Sequence, residues 1–354
     1  MNAKTVFDLW DKEEPRMKGL VWHGKHDLRL EDVPEPRCGD GEALLEVKYA
    51  GICGSDLTIY QGKHRRAKPP TILGHEFSGV VVERRGEGYP SLRVGERVAV
   101  NPVYACGQCE LCLAGNGHIC EKKGLYGVDS AGGFARYVKV ALVAPHRLPE
   151  RASFEEGVLV EPLAVGVRAV RIGRLSFGES AVVIGAGPIG LLTAMVARVA
   201  GARNVFLVEP QPFRKTMAAS LGFPVLAPEE ATRERVMDLT AGRGIDVIFD
   251  AAGVPPAARA SMELVKRTGR IVVVAVYKEP VLVDLITLGY GEIEILGSCV
   301  YTPADFAKSV GLVTEKQVDL MPLVSHRMPL AEGIGAIDQL TKGMDAQKVL
   351  LAVS

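Results

Sequence analysis

The chain has no excess of charge. Its 42 Lys and Arg residues are matched by 42 Asp and Glu, and the isoelectric point lies near 7.0. Without a basic surplus there is no general pull toward nucleic acid or anionic membrane, and neither is expected as a partner. The first residues lack the apolar core of a secretory signal: Met1 to Arg16 is mixed and charged, and reads as an extension before the first strand pattern at Met17. A cytoplasmic location is the expectation. Internal repeats and low-complexity tracts are also missing. One uncharged run, Ser180 to Ala197, is long enough to raise the question of a membrane span. Its centre is Gly185-Ala186-Gly187-Pro188, and a strand–turn–helix reading accounts for every residue, so the span is rejected.

What is present begins with that same stretch. Val182-Val183-Ile184 runs into Gly185, Gly187 and Gly190, spaced G-x-G-x-x-G, and a helix-period pattern from Leu191 to Ala200 follows. Glycines let a backbone turn sharply and approach a pyrophosphate, whose charge then sits at the helix N-terminus. A Gly-rich packing turn is the alternative. A second strand, Val205 to Val208, ends in Glu209, about 20 residues past the glycines, where an acid can grip a ribose diol. The same carboxylate would repel the extra phosphate of NADP, so NAD is the expected cofactor. Arg214 either offsets this or lies against the adenine.

The 354 residues suggest two domains of ordinary size. Residues 18 to 50 alternate apolar and polar between Pro and Gly breaks, as in Leu28-Arg29-Leu30 and Ala43-Leu44-Leu45-Glu46-Val47, which predicts short antiparallel strands of a barrel-like unit. Val80 to Val82, Arg97 to Val100 and Phe134 to Val138 continue it. From about residue 160 strands and helices alternate, with strands at 182–184, 205–208, 246–249, 270–275 and 293–296, predicting an α/β doubly wound parallel sheet. After Tyr301 there is too little for a third domain, and the tail, with Val349-Leu350-Leu351, is expected to pack back on the first unit.

Two groups of residues suit metal. Cys53, His75 and Glu76 offer a thiolate, an imidazole and a carboxylate, a mixed set that a catalytic zinc can use, and Glu161 places an acid at the hinge between barrel and sheet. Taken singly, these would be a core thiol, a turn histidine and a solvated acid; their joint occurrence before a dinucleotide fold favours metal. Cys106, Cys109, Cys112 and Cys120 are the stronger signal. Four thiolates suit a closed tetrahedral zinc with no place for substrate, hence a structural one, with a redox or disulfide pair as the alternative. Cys38 and Cys299 stand apart and read as buried or partly buried thiols.

Together, Gly51-Ile52-Cys53-Gly54-Ser55-Asp56, Leu73-Gly74-His75-Glu76, the four-cysteine lobe, Glu161-Pro162-Leu163 and Gly185-Ala186-Gly187-Pro188-Ile189-Gly190 resemble the zinc-dependent medium-chain alcohol and polyol dehydrogenases, in particular their sorbitol, butanediol and threonine dehydrogenase branch. The resemblance implies a GroES-like β-barrel catalytic domain from residues 1–160 and 300–354, with a structural zinc lobe at 101–125, and a Rossmann domain at 161–299. It implies two zinc ions per chain, one catalytic and one structural, NAD as hydride acceptor, and a homotetramer or homodimer. It places Cys53, His75 and Glu76 on the catalytic zinc, and makes Glu161 the acid that binds that zinc or hydrogen-bonds its water. Ser55 would pass on the substrate proton, and Asp56 would orient His75. Gly185, Gly187, Pro188, Ile189, Gly190, Glu209 and Arg214 match positions that touch the cofactor. Val274, Ala275 and Val276, with Cys299, Val300 and Tyr301, match segments that line the nicotinamide.

The chain also departs from the pattern. Thr58 stands where many relatives carry histidine, and Val300-Tyr301 where sorbitol dehydrogenases tend to show Arg-Tyr. The expected reaction is oxidation of a secondary alcohol, polyol or vicinal diol, with L-threonine as an alternative substrate. The loop Lys63-His64-Arg65-Arg66-Ala67-Lys68 is either a solvated surface or a greeting for an acidic or phosphorylated polyol, as in a galactitol-phosphate dehydrogenase. A metal-free quinone reductase relative and a non-catalytic NAD-sensing protein are the rival classes, and neither has reason to keep Cys53, His75, Glu76 and Ser55 together.

Overall fold

The alternating residues of the first third form antiparallel strands in a computed structural model that describes residues 15–86 and 92–354. The extension expected before Met17 lies almost wholly outside the described residues. Arg16–Gly24 pairs with Asp27–Pro34 and, on its other edge, with Thr71–Ile72. A seven-stranded sheet is organised around Glu42–Ile52. One edge of that strand takes Glu76–Arg84. Its other edge is shared: Tyr137–Ala141 pairs with residues 42–46, and Lys348–Ala352 with residues 49–52. The period-2 pattern turns Ala43, Leu45 and Val47 inward, where they are fully buried with Phe77, Val81, Phe134 and Leu351. Each large side chain so buried stabilises by about 1.5–3 kcal/mol, which fixes the register that the metal residues depend on.

The second unit is a six-stranded, wholly parallel sheet. In chain order its strands are Ser180–Ile184, Asn204–Val208, Val225–Leu226, Ile245–Asp250, Val265–Val273 and Glu294–Gly297; counted that way, they lie side by side as 3-2-1-4-5-6. This is the doubly wound order, in which ligands bind beyond the carboxyl ends where the winding reverses. The strand Ser180–Ile184 is buried along its whole length, as a strand covered on both faces must be. Among the described residues no helix is long and apolar enough to cross a membrane.

The chain divides at Glu161/Pro162 and again at Pro322/Leu323. Residues 300–322 therefore cluster with the second unit, not with the first as the sequence reading had it. Asp305 is one tie in that direction. Fully buried at the start of the helix Pro303–Thr314, it accepts two bonds from Arg171, at 2.6 and 2.9 Å, and caps its own helix through Thr302. Such bidentate pairs carry both energy and orientation.

Candidate metal and dinucleotide sites

The first metal group is brought together by strand register. Gly51 pairs with Glu76 across Glu42–Ile52 and Glu76–Arg84, so the turn after one strand meets the start of the other. Cys53 caps the helix Gly54–Tyr60, and its backbone N–H donates to Asp56 Oδ2 at 2.8 Å. One ligand atom from each of Cys53, His75 and Glu76 lies within 4.8 Å of the others. Glu161, buried on the helix Phe154–Ile172, stands outside that trio, near enough to act electrostatically on His75.

The electrostatics suit a cation. Burial works against a charged His75, but the Cys53 sulfur, Asp56 and Glu161 together push its pKa well above the ordinary histidine value. Surroundings that favour positive charge at His75 also suit a dication. Asp56, whose own pKa is raised by burial, faces His75 Nδ1 at 3.8 Å, too far for a hydrogen bond. Ser55 Oγ, Asp56 Oδ1 and His75 Nδ1 are buried with no hydrogen-bond partner in the protein. Buried polar atoms are rarely left so, and a cluster of three points to a ligand. Thr58, by contrast, gives its hydroxyl to Gly54 O at 3.0 Å.

Sequence reasoning missed Lys348. Its Nζ lies 2.6 and 2.8 Å from the two Glu76 oxygens, and the pair is almost fully buried. Breaking such a pair by removing one partner costs about 3–5 kcal/mol. The only signal was a lysine opening the otherwise apolar strand Lys348–Ala352, with no acid beside it in sequence.

The four-cysteine loop forms a second cluster. The Cys106–Cys112, Cys109–Cys112, Cys109–Cys120 and Cys120–Cys106 sulfur separations are 3.8, 3.5, 3.7 and 3.6 Å. Four thiolates at ~2.3 Å from one tetrahedral zinc stand about 3.8 Å apart, so the arrangement fits. A disulfide needs about 2.05 Å, and all four cysteines are free. Cys106 is brought down to about 6 by the backbone N–H groups of Gln108 and Cys109, while burial and its neighbouring sulfurs push Cys112 up to about 12.

In the second unit, a cavity of about 400 Å³ opens beyond the carboxyl ends of the sheet, bounded by Gly185, Gly187, Glu209, Arg214 and Ala252. Gly190 has to be glycine, because a Cβ there would stand 1.9 Å from the Gly185 carbonyl oxygen. Gly187 faces Arg214, whose guanidinium lies 3.7 Å from where a Cβ would be. Pro188 opens the helix Pro188–Val199, followed by Ile189. Glu209 is buried, and its two oxygens accept from Ala186 N at 2.7 Å and Gln211 N at 2.9 Å. It therefore shapes the glycine turn as well as facing the cavity. Each carboxylate oxygen keeps a second lone pair for a ribose hydroxyl.

The remaining expected cofactor residues are less uniform. Val274 N and Ala275 N both donate to Asp250 O at 2.9 Å, while Val276 is 88 % exposed. Cys299 is exposed, not buried or partly buried as the sequence suggested, and Val300 takes a left-handed φ of 35°. The Tyr301 ring is turned into the core against Phe306 and does not offer its face to a ligand.

A parallel sheet with a glycine-turn cavity, paired with a barrel unit that carries two metal-ligand clusters, defines a metal-dependent dinucleotide oxidoreductase. Residues 39–150 match the alcohol dehydrogenase GroES-like domain, and residues 188–315 the zinc-binding dehydrogenase family. The chain is 39 % identical over 313 residues to the 2-dehydro-3-deoxy-L-galactonate 5-dehydrogenase of Pseudoalteromonas atlantica, covering 88 % of this chain and 91 % of that one. It is 34 % identical to the sorbitol dehydrogenase of Halalkalibacterium halodurans, covering 95 % and 99 %. A zinc-binding dehydrogenase from Sinorhizobium meliloti, solved bound to NADP, superposes with a TM-score of 0.89 at 29 % identity, over 96 % of this chain and 100 % of that one. The chain belongs to the zinc-dependent medium-chain alcohol and polyol dehydrogenases, and is an oxidoreductase acting on alcohols.

Proposed function

We propose that the chain oxidises a secondary carbinol of a polyhydroxylated substrate with NAD, holding a catalytic zinc through Cys53, His75 and Glu76 and a structural zinc through Cys106, Cys109, Cys112 and Cys120. The observation that carries this is the trio of donors within 4.8 Å, with the buried, unpartnered Ser55 hydroxyl two residues from Cys53. A zinc held by these residues would supply Lewis acidity toward the substrate alcohol, and a bound NAD would be the hydride acceptor. The chain's own residues do the rest. Ser55 Oγ would accept the carbinol proton as it gives its own hydroxyl proton to a water. Its path does not run through Thr58, whose hydroxyl is engaged with Gly54. Glu161 adds negative charge that acts on His75 and, in this reading, holds a water or the metal itself. An NAD-reduction screen over butanediols, pentitols, hexitols, sugar acids, sugar phosphates and threonine tests the reading; no reduction with any secondary alcohol by the zinc-loaded chain overturns it.

The fold does not choose between dinucleotides, since a similar chain holds NADP. Glu209 does the choosing here, by repelling a 2′-phosphate. Glu209→Ser is expected to shift the ratio of kcat/KM for NAD over NADP toward NADP by at least about tenfold. Because Glu209 also braces the Ala186 amide, both cofactors should bind more weakly, so the ratio is the quantity to measure; an unchanged ratio refutes the assignment.

Within the same reaction, an anionic substrate is favoured by the loop after Tyr60. His64 Nδ1 accepts from the amides of Arg66 and Ala67, which folds the loop back. Burial and the neighbouring Arg66 charge lower the His64 pKa, against an opposing pull from Asp129. Arg66 is engaged with Asp129 at 3.3 Å, whereas Lys63 and Arg65 are exposed. A relative that acts on a galactonate, as its name states, supports a carboxylate-bearing substrate. Arg65→Ser should lower kcat/KM for a sugar acid by about tenfold and leave a neutral polyol unchanged. Rising salt should do the same; identical salt profiles for the two substrates end the idea.

A further inference from the structure

Glu76 is held by three separate parts of the chain. Lys348 Nζ donates to both of its oxygens and lies 3.4 Å from Ile52 O, so all three ammonium hydrogens are engaged. Gly51 supplies the space: a Cβ there would stand 2.3 Å from Glu76 Oε2 and 2.9 Å from the Val158 side chain. The strand pairing of Val349 with Ile52 sets the lysine beside them. A carboxylate that spends a lone pair of each oxygen on an ammonium is a poorer donor to a metal than a free one. Any dication at the Cys53 and His75 donors also faces a buried ammonium that repels it.

We propose that Lys348 is a positioning residue of the metal site, engaging both oxygens of Glu76 and so weakening the hold of Cys53, His75 and Glu76 on zinc. Removing the lysine frees a carboxylate for the metal and deletes a repelling charge, two effects of the same sign. This rests on the reading of Cys53, His75 and Glu76 as a metal site, and the control below separates the two.

Zinc affinity of the full chain is measured by competition with a chelator. Cys53→Ala identifies which of the binding steps belongs to this site, and absence of any step lost in that variant overturns the metal reading and this proposal with it. Given that step, Lys348→Met should bind zinc at least about tenfold more tightly, with Lys348→Arg close to wild type. Affinity equal to or weaker than wild type in Lys348→Met overturns the proposal. A second comparison serves where Lys348→Met alone does not fold. Glu76→Gln leaves the ammonium unopposed and should weaken zinc binding, and the double variant K348M/E76Q should recover at least about tenfold of that loss. A double variant no tighter than Glu76→Gln shows that Lys348 has no such effect.

Discussion

Replacing Cys53 with serine is expected to remove one zinc ion per chain and to lower kcat/KM for alcohol oxidation by at least about a thousandfold. Serine at neutral pH is a hard, protonated hydroxyl in place of a soft anionic sulfur, and the trio would be left with His75 and a Glu76 already tied to Lys348. Hydride departs readily only from a carbinol whose oxygen is near alkoxide, and Ser55 alone is a weak base for that proton. Dinucleotide binding should survive, because Gly185, Gly187, Glu209 and Arg214 belong to the other unit. Metal analysis and a binding titration on the same sample check both halves. A variant with full zinc content and near-normal turnover would show that the sulfur at 53 has no part in the chemistry.

The second large effect is expected at Cys112. Its replacement by serine should cost the other zinc ion and lower Tm by roughly 10 °C, about 3 kcal/mol for a unit of this size, with initial activity largely kept. The loop has little else to hold it. The short helix Glu110–Leu113 buries no residue, Leu113 is 77 % exposed and Ile119 is 41 % exposed. Thermal unfolding with and without a strong chelator measures the effect: wild type should fall toward the variant when chelated, and the variant should not move. A variant as stable as wild type would mean that the loop is held by something other than metal.

The two sites were legible to different depths, for physical reasons. Where chemistry follows from local spacing, the residues could be read directly, as with the cysteines of the lobe and the glycines before Pro188–Val199. The doubly wound parallel sheet could be read too, because apolar strands such as Ser180–Ile184 alternate with helices. What could not be read were contacts made by one side chain at long range. Lys348 meets Glu76 across 272 residues, and nothing near either announces the other. Asp305 was equally silent: its bond to Arg171 draws the segment after residue 300 into the second unit, where hydropathy alone had no preference. Glu209 was half visible. Its place after the second strand suggested a ribose partner, but its grip on the Ala186 amide needed the turn's actual geometry. The inward turn of Tyr301 and the exposure of Cys299 likewise depend on packing that no local pattern encodes.

The interleaving of the first unit has a temporal side. Glu42–Ile52 waits for its partner strand Lys348–Ala352 until the intervening sheet has been synthesised, and with that strand comes the lysine that reaches Glu76. During that interval the donors at 53 and 75 already exist while the opposing ammonium does not. A nascent chain should therefore capture zinc more avidly than the finished one, and the arrival of the last strand would turn a trap into an exchangeable, working centre.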